Sequence, residues 1–168
     1  MDEYPKRKNI RIRDYDYSTP GAYFITICTS DRKPILWHTV GADTIRPDEL
    51  PLSPIGKIVE QAVLQINEHY SSVEIDFFCI MPDHIHLLLC INRRMVSAPT
   101  ISTVVGSLKR WVSRQVGTPI WQKSFYEHCI RNEKDYGEIW TYIANNPLKY
   151  AIDQDSRNSI AGNKIIAR

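Results

Sequence analysis

Two apolar runs separated by only two residues constrain the fold of this chain most strongly. Residues 73–81 and 84–91 are rich in β-branched, aromatic and leucine side chains, and only Pro82 and Asp83 lie between them. Both are typical turn residues, because proline presets the backbone angle φ and an aspartate side chain can bond its own backbone. The sequence therefore predicts a β-hairpin near the middle of the chain.

Predicted helices and strands alternate around this hairpin, and each is identified by the spacing of its apolar residues. In chain order they are a strand at 22–29, a helix from Pro54, the two hairpin strands, a helix at 101–116, a strand at 121–131 and a helix at 132–145. This β-α-β-β-α-β-α order is typical of a ferredoxin-like antiparallel sheet, an α+β fold with two helices on one face. We expect the extra C-terminal helix to cover the opposite face.

Cap and breaker residues set the predicted ends of the helices. Ser53 is a good N-cap and Pro54 suits the first helical position. Gly117 is a natural stop for the second helix. Asn132 caps the third helix, and Pro147 is expected to end it because the residue before a proline is biased away from helical geometry.

The length of 168 residues predicts a single domain. We expect a basic N-terminal arm at about residues 1–14 and a flexible tail at about 152–168. We expect no secretory signal, because the first residues contain no apolar stretch, and no apolar run approaches the roughly 20 residues that span a bilayer. The four cysteines lie in apolar runs, as expected of reduced buried thiols. A cytoplasmic protein with no membrane partner is therefore predicted.

The sharpest local feature is His84-Ile85-His86. Residues two apart on a strand point to the same face, so both imidazoles would project together. They could share one divalent metal ion, for which imidazole is a common ligand. They could equally be a polar pair on a half-open sheet, and the pattern alone leaves both interpretations open.

A second candidate group lies in the predicted third helix. Tyr142 and Asn146 are four residues apart and therefore share one face, on which Glu138 lies one turn earlier. The apolar stripe expected to pack this helix comprises Tyr136, Ile139, Trp140 and Ile143. Tyr142 falls at the flank of that stripe, where it could touch the sheet and still reach a ligand, or could be an ordinary tyrosine at a packing edge.

The two groups would converge if the histidines point to the face that this helix covers. Two imidazole nitrogens and the Asn146 amide oxygen could then surround a metal ion, with the Tyr142 phenol beside it. Such a centre suits attack on a phosphodiester, because a metal polarises the phosphate and favours the phenolate. The product would be a 5′-phosphotyrosine and a free 3′-hydroxyl.

Several motifs resemble a known family. Residues 81–89, MPDHIHLLL, look like the signature of the HUH endonucleases, and residues 142–147, YIANNP, look like the single-tyrosine segment of IS200-type transposases. The stretches that resemble REP-associated tyrosine transposases more closely are residues 15–29, 52–59, 105–109, 121–122 and 125–133. The resemblance covers roughly residues 8–150, with the motifs in the expected order.

This resemblance implies specific roles. His84 and His86 would be metal ligands, Asn146 the third ligand and Tyr142 the nucleophile, with Mg2+ or Mn2+ as the cofactor. The substrate would be single-stranded DNA presented by hairpins, and a homodimer is an open alternative because IS200-type relatives often share active sites between subunits. Two other functions stay open: a domesticated hairpin-DNA-binding protein that does not cut, and a hydrolase in which water attacks.

Further residues are candidates for binding DNA or supporting the metal. Basic side chains neutralise phosphates, and aromatic rings stack on unpaired bases. The predicted DNA-binding residues are Lys6, Arg7, Lys8, Arg11, Arg13, Lys109, Arg110, Arg114, Lys123 and Arg131, with Arg93 and Arg94 as a further basic pair. Glu138 could support a metal ligand through a hydrogen bond or be an extra ligand itself, and His128 could orient a ligand, line the DNA groove or be structural.

Overall fold

A computed structural model describes residues 21–38, 50–91 and 98–165. The strands are β1 (Gly21–Cys28), β2 (Val73–Ile80), β3 (His84–Ile91) and β4 (Tyr126–Ile130). The helices are α1 (Pro54–Leu64), α2 (Ile66–His69), α3 (Ile101–Val116) and α4 (Glu133–Ile165), and a short 3-10 turn spans Ser30–Arg32.

The four strands form one antiparallel sheet in the order β2-β3-β1-β4. The hairpin strands β2 and β3 are neighbours, and β1 lies between β3 and β4, which is the ferredoxin-like arrangement. Helices α1 and α3 pack against each other over one face, and side chains of α4 contact the other. The predicted α+β fold with an additional C-terminal helix is therefore confirmed.

The register of the sheet decides which side chains share a face. Cys28 lies opposite His84, Thr26 opposite His86 and Phe24 opposite Leu88. Because side chains alternate along a strand, these residues project to the α4 side. The intervening residues of both strands project to the α1 and α3 side, where they build the fully buried part of the core: Ile25, Ile27, Ile85, Leu87 and Leu89.

The predicted caps of the first two long helices are present. The Ser53 hydroxyl accepts a hydrogen bond from the Gly56 amide at 3.0 Å, which satisfies one free N–H of the first turn. Gly117 ends α3 in the left-handed conformation with φ of 83°. The whole predicted apolar stripe of α3 is buried: Ile101, Val104, Val105, Leu108 and Val112.

The predicted end of the last helix is wrong. The Asn132 side chain caps α4 by accepting from the Asp135 amide at 2.9 Å, but the helix continues through Pro147 to Ile165. A proline removes one helical hydrogen bond and costs about 3 kcal/mol. Here Ile143, Pro147 and Ala151 are all buried at four-residue spacing, and this packing offsets the loss.

Two further boundary predictions are corrected. The fourth strand is shorter than expected, because Trp121 forms only an isolated bridge with Thr29 and regular pairing begins at Tyr126. The predicted apolar stripe of α4 is only partly buried. Ile143 is enclosed, but Trp140 is 45% exposed and stacks on Phe77 of the edge strand β2, at 5.1 Å between ring centroids.

Some predictions fall outside the described residues. These are the basic arm at about residues 1–14 and the Arg93-Arg94 pair. The single domain and the flexible tail stay predictions. Within the part of the chain that the structure describes, no helix is both long and apolar enough to cross a membrane. Cys28, Cys79, Cys90 and Cys129 are all free thiols, but only Cys79 is buried and the others are partly exposed, so the expectation that all are buried is wrong for three of them.

Candidate functional site

The two histidines of β3 point at each other through their outer ring nitrogens. Strand periodicity brings both imidazoles to the α4 face, and the His84 Nε2 and His86 Nε2 atoms are 3.1 Å apart. His86 is 3% exposed, whereas His84 lies closer to the surface. Two nitrogen donors are therefore directed to one point at the edge of the core.

The inner nitrogen of each ring has its own partner. The Nδ1 atom of His84 lies 2.6 Å from Oδ1 of Asp83, and the Nδ1 atom of His86 lies 2.9 Å from Oγ1 of Thr26 on β1. The second carboxylate oxygen of Asp83 accepts from Arg32 Nε at 2.9 Å. Both imidazoles are thus fixed on their inner side, and the pair of Nε2 atoms is left for a ligand.

Burial and neighbouring charges set the ionisation of this group. Burial lowers the pKa of His86 to about 3, helped by the positive charge that His84 carries when it is protonated and by that of Arg32, so the His86 imidazole is neutral at pH 7. Burial disfavours ionisation of Asp83, but the hydrogen bond with His84 and the charges of His84 and Arg32 outweigh it. They hold the pKa of that carboxyl below its ordinary value.

Tyr142 of α4 lies beside this pair. Its ring centroid is 5.5 Å from that of His86 and 6.1 Å from that of Phe24, in edge-to-face contacts. The residue is nevertheless 52% exposed. The Tyr142 ring therefore contacts the sheet at His86 and Phe24 while about half of the residue is open to solvent, where a large substrate can approach.

Asn146 lies one helical turn after Tyr142 on the same side of α4. Its Nδ2 atom is buried and has no hydrogen-bond partner. A buried amide N–H without a partner is costly, and a half-turn of the amide would place its oxygen in the same position. The Asn146 side chain is thus available to offer either end to a ligand.

The donor set fits a divalent cation. Two donors on adjacent corners of an octahedron with bonds of about 2.1 Å are about 3.0 Å apart, close to the separation of the two Nε2 atoms. Among the described residues, no three His, Cys, Asp or Glu side chains are grouped to hold a metal. The remaining ligands would therefore come from an amide such as Asn146 and from water or substrate oxygens.

The two candidate supporting residues lie in other contacts. Glu138 is exposed and lies 3.8 Å from Lys134 one turn earlier in α4. His128 shares the α4 face of the sheet, but its Nε2 atom is bonded to Asp135 Oδ2 at 2.9 Å. His128 therefore connects β4 to the first turn of α4, which is a structural contact.

Four residues of this region were not identified from the sequence as parts of a site. Thr26, Arg32 and Asp83 hold the imidazoles, and Asp83 was interpreted as a turn residue only. Tyr126, which is 43% exposed, also contacts Phe24, at 6.2 Å between ring centroids. A carboxylate directly before a His-x-His pair is the one sequence signal that could have pointed to Asp83.

The predicted basic residues that the structure describes differ in their surroundings. The Lys109 ammonium donates to the carbonyl oxygens of Gln122, Lys123 and Ser124 at 3.0, 3.4 and 3.1 Å, so it ties α3 to the segment before β4. The others are exposed: Arg110, Arg114, Lys123 and Arg131. Their part in DNA binding stays a prediction.

Comparison with known proteins identifies a family that this chain matches. The family model described as "Transposase IS200 like" matches residues 22–146, which include β2, β3 and β4, all of β1 except its first residue, and the part of α4 that carries Tyr142 and Asn146.

Two relatives and one solved structure extend this match. An uncharacterised protein of Haemophilus influenzae is 30% identical over 171 residues, covering 88% of this chain and 92% of the relative. A putative REP-associated tyrosine transposase of the same organism is 29% identical over 150 residues, covering 80% and 74%. The structure of a REP-associated tyrosine transposase bound to a REP hairpin has the same fold, with a TM-score of 0.61, 24% identity and coverage of 89% and 74%.

Proposed function

Because this chain belongs to the IS200-like transposase family, a family of enzymes that act on DNA, we propose that it cuts and rejoins single-stranded DNA at hairpins. Tyr142 is the nucleophile in this proposal, and His84 and His86 hold a divalent cation. One observation carries it: the Tyr142 ring contacts the ring of His86, whose Nε2 atom meets that of His84.

The proposed cleavage exchanges one phosphodiester for another. The Tyr142 phenol loses its proton to solvent, and its oxygen attacks the phosphorus of the DNA backbone. The bond from phosphorus to the 3′-oxygen breaks, and that oxygen takes up a proton to become a free 3′-hydroxyl. The new 5′-phosphotyrosine bond conserves the energy of the broken bond, so a 3′-hydroxyl can reverse the step without another energy source.

The chain's own residues prepare the two sides of this reaction. The Nε2 atoms of His84 and His86, with the Asn146 amide, would hold Mg2+ or Mn2+. When bound, the cation supplies positive charge that polarises the phosphate and stabilises the leaving oxygen. Phe24 supports the Tyr142 ring from the sheet and limits the positions it can take.

The surface around Tyr142 suits unpaired DNA. Tyr126 of β4 and Tyr142 of α4 both contact the Phe24 ring, and both are exposed to solvent. Aromatic rings stack on unpaired bases, which a continuous duplex would keep stacked internally. Lys123 and Arg131, which flank β4, are exposed and could neutralise phosphates. A hairpin with single-stranded flanks is the substrate to test first, since a protein of this fold is bound to a REP hairpin.

Incubation with a labelled hairpin oligonucleotide and Mg2+ or Mn2+, followed by a denaturing gel, tests this function. We expect a covalent protein–DNA band that Tyr142→Phe abolishes and that Tyr126→Phe retains. Binding without cleavage by the unaltered protein would instead identify a hairpin-binding protein. Cleavage that survives in Tyr142→Phe, with no covalent band, would identify water as the nucleophile and would refute the role of the tyrosine.

A further inference from the structure

The inner nitrogens of the two site histidines contact groups that can determine which ring nitrogen carries the proton. A neutral imidazole has one N–H and one bare nitrogen, and only the bare nitrogen can bind a metal. Asp83 is an ionised carboxylate, so it can only accept, which places the proton of His84 on Nδ1. The Thr26 hydroxyl can either accept from Nδ1 of His86 or donate to it, so this contact fixes the direction of the ring in both tautomers.

Asp83 is itself fixed from two directions. Its side chain is paired with Arg32 at 2.9 Å. Its backbone carbonyl accepts from both the amide and the hydroxyl of Thr29, each at 2.9 Å. Thr29 is fully buried and follows directly after β1, so the hairpin turn that carries Asp83 is anchored to the neighbouring strand.

The turn that presents Arg32 has a strained backbone. Asp31 and Arg32 have positive φ angles of 54° and 55°, in the left-handed region that is unfavourable for a residue with a side chain. Such conformations persist where surrounding contacts fix them. Arg32 has two such contacts, with Asp83 through Nε and with Cys28 Sγ at 2.8 Å.

We propose that Arg32, Asp83 and Thr26 are positioning residues for the two site histidines: Asp83, held by Arg32, keeps the proton of His84 on Nδ1 and its bare Nε2 directed to the shared centre, and Thr26 holds the His86 ring so that its Nε2 meets the same centre. Arg32 holds Asp83, Asp83 orients His84, and Thr26 orients His86 across the β1–β3 pairing. Without a cation, the Nε2–H group of His86 can donate to the bare Nε2 atom of His84 at 3.1 Å. With a cation bound to both rings, the His86 proton would lie on Nδ1, where the Thr26 hydroxyl can accept it. The inference rests on the proposed function only for the identity of the ligand between the two nitrogens.

NMR of the imidazole nitrogens in isotope-labelled, metal-free protein tests this directly, because protonated and bare ring nitrogens have well separated chemical shifts. We expect His84 to carry its proton on Nδ1 in the unaltered, metal-free protein. Thr26→Val should change the tautomer population of His86, and Asp83→Asn that of His84. Finding the proton mainly on Nε2 of His84 in the unaltered protein would overturn the proposal without reference to any variant.

Calorimetric titration with Mn2+ alone gives a second readout. We expect Asp83→Asn and Thr26→Val each to weaken binding about 10- to 100-fold, the usual effect of removing a group that orients a metal ligand. Arg32→Gln should weaken it in the same direction and by less, because Arg32 acts through Asp83. Two variants are controls. Asp31→Asn removes a negative charge, as Asp83→Asn does, but from the exposed position before Arg32, and Thr141→Val removes a hydroxyl, as Thr26→Val does, but from the exposed side of α4. Both should bind Mn2+ as the unaltered protein does.

These measurements contain no DNA, so they separate this inference from the proposed function. If the protein has the predicted tautomer but forms no covalent DNA adduct, the proposed function is refuted and the inference still holds. Unchanged tautomers and unchanged Mn2+ affinity in both Asp83→Asn and Thr26→Val would refute the inference, even if the protein cuts DNA.

Discussion

His86 and Tyr142 are in ring contact but have opposite relations to solvent. His86 is 3% exposed and Tyr142 is 52% exposed. A buried neutral imidazole keeps a fixed direction and a bare nitrogen, whereas an exposed phenol can meet a substrate as large as DNA. At the residue scale, the proposed chemistry depends on this contact between a buried side chain and an exposed one.

Tyr126 is also exposed and lies near Tyr142, since both contact Phe24, and we expect it to stack on a base. Base stacking on an aromatic side chain is worth about 1–3 kcal/mol, so Tyr126→Ala should weaken binding of a single-stranded oligonucleotide about 5- to 150-fold. Tyr126→Phe should bind nearly as tightly as the unaltered protein. Fluorescence anisotropy with a labelled oligonucleotide measures both.

Leu64→Ala is the control for that comparison. Leu64 is also exposed, at 58%, but it belongs to α1 on the other side of the sheet. Equal loss of affinity in Leu64→Ala and Tyr126→Ala would contradict a specific contact at Tyr126.

At the scale of elements, α1 and α4 are held in different ways. A Cβ atom at Gly56 would lie 2.1 Å from the carbonyl oxygen of Leu36, so the first turn of α1 sits directly on the loop after β1. A Cβ atom at Gly137 in α4 would meet nothing within 4 Å. α4 depends instead on contacts from single side chains, such as the hydrogen bond from Tyr136 to Asp76 and the stacking of Trp140 on Phe77.

Alanine at each glycine should therefore change stability in opposite directions. Gly56→Ala forces the backbone apart, and we expect it to lower the free energy of unfolding by about 1–3 kcal/mol. Gly137→Ala restricts the unfolded chain at a helical position with open surroundings, and it should raise the free energy of unfolding by about 0.5–1 kcal/mol. Urea denaturation measures both, and a loss of stability in Gly137→Ala would contradict the open surroundings of α4.

The elements that could be predicted from the sequence are those set by local signals. Ser53 and Gly117 mark helix ends by their own chemistry, and the spacing of His84 and His86 places both on one face without knowledge of the fold. Pro147 is a local signal that gave the wrong result. The burial that keeps α4 helical there comes from distant segments, including the contact of Tyr150 with Trp37, at 5.5 Å between ring centroids.

The supporting residues of the site could not be predicted for the same reason. Thr26 and His86 are 60 residues apart in the chain, and only the β1–β3 register brings them together. The position of Arg32 depends on a turn with positive φ angles at Asp31 and Arg32, and the sequence has no glycine there to indicate such a turn. The ligand candidates were visible because strand and helix periodicity are local, whereas the groups that orient them depend on tertiary contacts.

At the scale of the whole molecule, cation binding should be linked to folding stability. The two Nε2 atoms are brought together only in the folded sheet, so Mn2+ binds the native state in preference to the unfolded chain. At a concentration one hundred times its dissociation constant, such a ligand stabilises by about 2.7 kcal/mol. For a domain of this size that raises Tm by about 5–10 °C, which differential scanning fluorimetry would detect.

Two histidine variants complete that measurement. His86→Ala removes one donor and should lose most of the Mn2+-dependent rise in Tm. His69→Ala, at the exposed end of α2, should keep it in full. The same rise in His86→Ala as in His69→Ala would place the cation elsewhere.

The attachment point of DNA tests the central claim most directly, because the account depends on one phenol meeting the histidine pair. Trypsin releases residues 135–149 as a peptide that contains two tyrosines, Tyr136 and Tyr142. After reaction with hairpin DNA and Mn2+, mass spectrometry of this peptide should find the nucleotide phosphate on Tyr142 and none on Tyr136, whose hydroxyl donates to Asp76. A nucleotide on Tyr136 or on any residue other than Tyr142 would contradict the account.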